Sequence, residues 1–395
     1  MPTAPNRFRI RMAARPIDEP HRSASPLELL FDLTFVVAVA AVTAEFAHSI
    51  ADGHAAVVDF LMVFFCIWWA WMNFTWFASS YDTDDALYRL LTMLQMAGVL
   101  VLAAGVPAAT AESDYSAVPF GYLIMRIALA ALWLRAGYED PERRRTAFRY
   151  AGGILTLNLA WILALLLTHM ALWLFVVLVV LELAVPMWAE RPRATNWHPH
   201  HIAERYGLFV IILLGESVLA ASRGVQKALA AGDISSSFVL VAGAGLVLLF
   251  ALWWLYFLHP AGQGLSERRA ASYRWGYGHF FVFAALAAVG AGLEVAVEEA
   301  AHESSSTTVG YAVAIPVAVY LLTLWLVHAP VITPPVATPA LILGCVTLVL
   351  LLPLVLPAVA VAVAVAGVAV LLAALVTVRA NQLAGSSPGV TRPHS

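Results

Sequence analysis

Long apolar runs fill most of the chain and are separated by short stretches of charge, proline and glycine. Runs near 27–49, 55–78, 87–110, 117–136, 148–167, 170–188, 202–222, 236–258, 275–297, 309–328, 337–355 and 357–378 have the roughly 18 to 25 residues that a helix needs to cross ~30 Å of hydrocarbon. They predict an all-α integral membrane protein with about twelve transmembrane helices. The last two runs are parted only by Pro353 and Pro357, but together they are too long for one crossing.

A second regularity lies over the first. Trp68, Trp69, Tyr88, Arg89 and Gly105 recur as Trp253, Trp254, Tyr273, Arg274 and Gly290, each displaced by 185 positions (253 − 68 for the first pair). Glu28 and Glu204 each open a run, and Leu132-Trp133-Leu134 answers to Leu324-Trp325-Leu326. The chain therefore reads as two six-helix repeats of the same orientation, because an even number of crossings returns it to its starting side. The expected division is a basic N-terminal segment (1–26), a first repeat (27–190), a linker (191–201), a second repeat (202–379) and a disordered tail (380–395). A binding cavity between the halves, near mid-bilayer, is the expectation from such an architecture.

Composition agrees with a lipid solvent. Of 395 residues 62% are hydrophobic and 12% charged, with mean hydropathy +0.82, which is more apolar surface than a soluble core of this length buries. With the N-terminus in the cytoplasm, all 22 basic residues except Arg126, Arg223 and Lys227 fall on the cytoplasmic side, so both termini are placed there. The short clusters of arginine make no basic face suited to nucleic acid. Cys66 and Cys345 lie within apolar runs as small hydrophobes. The first 26 residues carry five arginines and no apolar signal core, so 27–49 is read as a retained first helix.

Ionisable residues inside such runs are candidates for function. Ser25-Pro26-Leu27-Glu28 is a capping box that accounts for Glu28 at a helix start. Asp32 lies one turn deeper on the same face, about 9 Å into the helix at 1.5 Å per residue, and needs a partner or water. Arg89 is the nearest candidate by depth, and the repeat puts Glu204 and Arg274 in the same relation, with independent snorkelling as the alternative. Arg126 sits mid-run, where arginine costs about 2.5 to 3.5 kcal/mol on insertion scales. Three acids lie at suitable depths to meet it: Asp32, Glu182 and Glu216. Gly215-Glu216-Ser217 suits either an ion or proton site or a helix-to-helix hydrogen bond.

Other polar groups have plainer readings. Asp82, Asp84 and Asp85 precede the third run and serve as a helix cap, a salt-bridged gate or a hard-metal site. Glu45, His48 and Asp59, with Glu294, Glu298, Glu299, His302 and Glu303, read as a solvated acidic rim. His198, His200 and His201 read as loop residues, and Trp68, Trp69, Trp71 and Trp76 as interfacial anchors. Residues 337–378 contain no ionisable group and read as peripheral scaffold.

Three stretches together resemble the bacterial low temperature requirement protein A family: Leu27-Glu28-Leu29-Leu30-Phe31-Asp32-Leu33-Thr34-Phe35; Tyr81-Asp82-Thr83-Asp84-Asp85 with Arg89 and Gln95; and His201-Ile202-Ala203-Glu204-Arg205-Tyr206-Gly207 running into Leu214-Gly215-Glu216-Ser217. The resemblance covers the first nine runs. It implies a bacterial cytoplasmic (inner) membrane protein and supports the choice of residues, but brings no reaction with it. The Phe31-Asp32-x-x-Phe35 pattern is also similar to the first helix of certain twelve-span cation channels.

The leading expectation is a transporter of a small solute or ion. Its path would use Asp32, Arg126, Glu182, Glu216 and Ser217, with cytoplasmic charge clusters at Glu28, Arg89, Glu204, Arg205, Arg274, Asp82, Asp84 and Asp85. No cofactor or metal is expected; the lipid bilayer is the partner, and a homo-oligomer is compatible with the architecture. The alternatives are a cation channel, a membrane-embedded metal-dependent enzyme acting on a lipid or isoprenoid through the aspartates, and a non-transporting role in cold adaptation.

Overall fold

Capping residues and prolines set the helix boundaries. At the start of α1 (Pro26–Ala51) the Glu28 carboxylate accepts from the Ser25 amide at 2.7 Å and the Ser25 hydroxyl accepts from the Glu28 amide at 3.3 Å, the reciprocal box read from the sequence. There follow α2 (Val57–Ser80), α3 (Ala86–Ala111), α4 (Ala117–Glu139), α5 (Arg144–Thr168), α6 (Leu172–Ala189), α7 (Pro199–Ala231) and α8 (Ser236–Phe257). A short helix α9 (Ala261–Glu267) and a 3-10 turn (Arg269–Ala271) lead into α10 (Ser272–Ala301), α11 (Thr307–His328), α12 (Pro339–Val355) and α13 (Ala358–Gly385). Ser235, Ser306 and Thr338 cap α8, α11 and α12 through their hydroxyls.

This computed structural model describes residues 8–20, 22–111, 117–168, 171–231, 235–258, 261–301, 306–332 and 336–385. Among them, 11 helices are long and apolar enough to cross a membrane. The eleventh expected span, α12, has 17 residues, about 26 Å at 1.5 Å per residue, which is the lower limit of the ~17 to 25 residues that cross a bilayer. It ends where Leu356 turns extended before Pro357, whose ring disfavours helical backbone in the preceding residue. Residues 380–385, expected in the tail, continue α13; 386–395 lie outside the described residues, as do His302 and Glu303.

The chain divides into two compact units, one of Met1–Glu45 with Ala56–Leu208, the other of Phe46–Ala55 with Phe209–Ser395. In the first unit α2 is the central helix, carrying Trp68, Trp69, Trp71 and Phe74 fully into the core. α3 and α4 pack backbone to backbone there. A Cβ on Gly121 would come within 2.4 Å of the Leu102 amide nitrogen, so only glycine permits the approach. In the second unit α10 takes the central place. A Cβ on its Gly290 would meet the Ser217 Oγ of α7 at 2.9 Å. Trp253 and Trp254, expected from the sequence as counterparts of Trp68 and Trp69, are 44% and 49% exposed, unlike that buried pair.

Candidate functional site

Two pairs with the same spacing meet in the first unit. Glu28 and Asp32 lie four residues apart on one face of α1, and His201 and Arg205 lie four apart on α7. The Arg205 guanidinium grips Asp32 with two hydrogen bonds of 2.6 Å, Nε to Oδ2 and Nη2 to Oδ1, and donates through Nη1 to Glu28 Oε1 at 2.9 Å. Trp71 Nε1 donates to Asp32 Oδ1 at 2.7 Å, and His201 Nε2 stands 3.0 Å from Glu28 Oε1. All five side chains are buried. The two carboxylates thus meet one fork-shaped cation, the geometry that makes arginine suited to such a site. The unused pairing signal in the sequence was the matching four-residue spacing.

Arg89 is therefore not the partner of this pair. It is on the outside of α3 and forms a bidentate pair with Asp84, at 2.7 and 2.8 Å. Glu204 and Arg274 are both exposed. The three aspartates before α3 diverge to different arginines: Asp82 to Arg15 at 3.0 Å with Arg22 at 3.6 Å, Asp84 to Arg89, and Asp85 to Arg135 at 2.5 Å. Asp85 also caps α3, accepting from the Tyr88 amide at 3.0 Å. Burial pushes the Asp82 carboxyl up to about 6, helped by neighbouring Glu28 and Asp84 and opposed by Arg22 and Arg15. For Asp85 burial is outweighed by Arg135 and two amide donors, which hold it down at about 2.

Residues 8–20 and 22–25 run as a strap along the ends of these helices. The Ile10 amide donates to Asp85 at 2.9 Å, the Met12 amide to Glu139 at 2.6 Å and the Arg15 amide to the Ser80 carbonyl at 3.0 Å, and Asn196 Nδ2 reaches the Arg15 carbonyl at 2.9 Å. The basic segment, expected as a cytoplasmic flank, is thereby tied to the helix ends.

A second buried pair lies deeper in the same unit. Arg126 of α4 donates through Nη2 to Glu182 Oε2 of α6 at 2.5 Å. Trp69 Nε1 donates to the same oxygen at 2.9 Å, while Trp161 Nε1 and the Tyr122 hydroxyl reach Oε1 at 3.2 and 3.4 Å. Glu182 is saturated, but among the described residues Arg126 Nε and Nη1 have no hydrogen-bond partner, although Arg126 is only 1% exposed. Of the three acids expected around Arg126, only Glu182 pairs with it. Trp68, Trp69 and Trp71 are core residues rather than interfacial anchors, since all three rings are buried and two of them answer buried carboxylates.

In the second unit Glu216 and Glu294 share Arg223, at 3.2 and 2.9 Å. Glu294, expected at a solvated rim, is buried there. Glu216 Oε2 is without a hydrogen-bond partner among the described residues. The single Ser217 hydroxyl proton is shared between the carbonyls of Leu213 (2.9 Å) and Leu286 (3.2 Å), the second of which links α7 to α10.

Eleven apolar helices able to span a bilayer, with ion pairs buried among them, define a polytopic helical membrane protein. The model of the family described as Bacterial low temperature requirement A protein (LtrA) matches residues 23–377, and the chain belongs to that family. It is 30% identical over 281 residues to an uncharacterized protein of Rhizobium meliloti (strain 1021), a match covering 65% of this chain. The chain spans 65% of the length of that curated relative. No solved structure matches.

Proposed function

We propose that this LtrA-family protein is a transporter that carries a small solute or ion through the charged interior of its helices. It is placed in the bacterial cytoplasmic membrane with both termini in the cytoplasm, as the one-sided arginines favour. The observation that supports transport over a purely structural role is the state of Arg126. A pair that only fixed helix packing would have its donors closed. Two buried guanidinium nitrogens with no hydrogen-bond partner among the described residues carry a desolvation cost that the Tyr122 ring, 5.6 Å from the guanidinium carbon, offsets only in part. They supply donors for an anionic or hydrogen-bond-accepting solute beside a carboxylate that balances the charge. Asp32 with Arg205, and Glu216 with Arg223, are the further charged stations of this reading, suited to proton coupling.

Swelling of proteoliposomes in isosmotic potassium salts of chloride, nitrate, acetate and lactate, with valinomycin present, tests the reading. At least one salt should enter faster than into empty liposomes. Arg126→Gln should slow it at least roughly tenfold, the loss implied by one charge-assisted hydrogen bond of about 1.5 kcal/mol. Entry of every salt at the empty-liposome rate, or a rate unchanged in the doubly neutralised R126Q/E182Q protein, would refute it. Saturation with salt concentration distinguishes a transporter from a channel with unitary conductance.

A further inference from the structure

In the first unit α2, α4, α5 and α6 surround a cavity of about 260 Å³. Its walls are apolar, with Phe175 on one side and Phe120 and Leu166 at its edge, where both are exposed on membrane-spanning helices. Three polar side chains reach the lining: Tyr122, Trp161 and Asn158. Tyr122 and Trp161 already donate to Glu182. Asn158 is different: it is 4% exposed, and among the described residues neither its Nδ2 nor its Oδ1 has a hydrogen-bond partner. A buried amide with both halves unpaired is costly, and the cost falls only when something pairs with it.

An amide presents a donor and an acceptor side by side. A protonated carboxyl group satisfies both at once, its carbonyl accepting from Nδ2 and its O–H donating to Oδ1. Apolar walls favour the neutral acid over the carboxylate. They also favour an alkyl chain, and an edge made by residues exposed on membrane-spanning helices admits a ligand that arrives from the hydrocarbon. The volume lies just below the ~300–1,000 Å³ of sites for drug-sized ligands, which suits a chain of medium length. We propose that this cavity binds a medium-chain fatty acid, with its carboxyl group on Asn158 and its chain against Phe175. As a binding site the proposal stands alone; as the solute class of transport it rests on the reading above.

The test is equilibrium binding of radiolabelled decanoic acid to the full chain in nanodiscs, with decanol and methyl decanoate as competitors. Saturable binding is expected, with decanol weaker and the methyl ester, which cannot donate, at least about tenfold weaker than the acid. Asn158→Leu should abolish the preference for the acid without lowering the melting temperature, because it removes an unpaired amide rather than a bonded one. Leu123→Trp, which fills the cavity from α4, should abolish saturable binding while Asn158 remains. Equal partitioning into wild type and N158L, or an ester that competes as well as the acid, would overturn the proposal. Decanoate bound without salt or decanoate flux supports the site and defeats the transport reading. Anion flux without decanoate binding does the reverse.

Discussion

Arg205 is the residue whose loss the first unit should tolerate least. It gives two hydrogen bonds of 2.6 Å to Asp32 and one of 2.9 Å to Glu28, and both carboxylates are buried. Arg205→Gln leaves Asp32 buried with the Trp71 N–H but without its cation, while Glu28 keeps the Ser25 amide, His201 and Arg22 at 3.5 Å; breaking a buried pair by removing one partner costs about 3–5 kcal/mol. Asp32→Asn alone leaves Arg205 on Glu28 and keeps an oxygen for Trp71, so its cost should be near the ~1.5–3 kcal/mol of a hydrogen bond to a charged group. The double variant has neither the stranded Asp32 nor an unanswered guanidinium. Its cost should fall short of the sum of the singles by about 2 kcal/mol. Reversible SDS-titrated unfolding in mixed micelles, followed by helical ellipticity and tryptophan emission, measures all four corners of the cycle. Additivity within about 0.5 kcal/mol would refute the coupling, as would an R205Q protein as stable as wild type.

Two further outcomes follow from the geometry. Asp82 titrates near 6 in the folded protein against an ordinary 3.8. A raised folded value means that its contribution is full below about pH 4 and is lost as pH rises through 6. The two-unit gap corresponds to about 3 kcal/mol at 1.36 kcal/mol per unit; melting at pH 4 and pH 7 should show this loss in wild type and not in Asp82→Asn. Gly290→Val places a branched side chain where a Cβ alone would stand 2.9 Å from Ser217 Oγ, and should destabilise the second unit by about 1–3 kcal/mol or more. Gly290→Ala should cost less than valine, and a fully stable valine variant would show that α7 and α10 can move apart.

The spans and the α1 cap were legible because each has a local signal: a run of about 20 apolar residues, or a serine three positions before a glutamate. Partnership was not local. Arg89 and Arg205 are both near the right depth for Asp32, and only the rotation of their helices decides between them. The tryptophans of α2 were misread for a related reason, since an indole suits a lipid interface and a buried carboxylate equally well. What separates the cases is how much of the helix other helices cover, and 72% of the apolar window of α2 is buried. Arg126 does meet Glu182, an acid at its own depth, whereas Asp32 and Glu216, at similar depths, are held by Arg205 and Arg223.

The bond between Asp32 and Arg205 joins positions 173 apart in the chain. At about 5–20 residues per second, a ribosome delivers Arg205 roughly 10 to 35 s after Asp32. Throughout that interval the first helix carries an acid without its cation, about 9 Å in from the helix end, at a cost below the ~2.5–3.5 kcal/mol of a mid-helix acid, so it is better held by the insertion machinery, or kept protonated, than released into lipid. A nascent chain interrupted before residue 205 never acquires that arginine, and its first helix stays recognisable as unfinished. The fold of the first unit is thereby completed only when the start of α7 has been made.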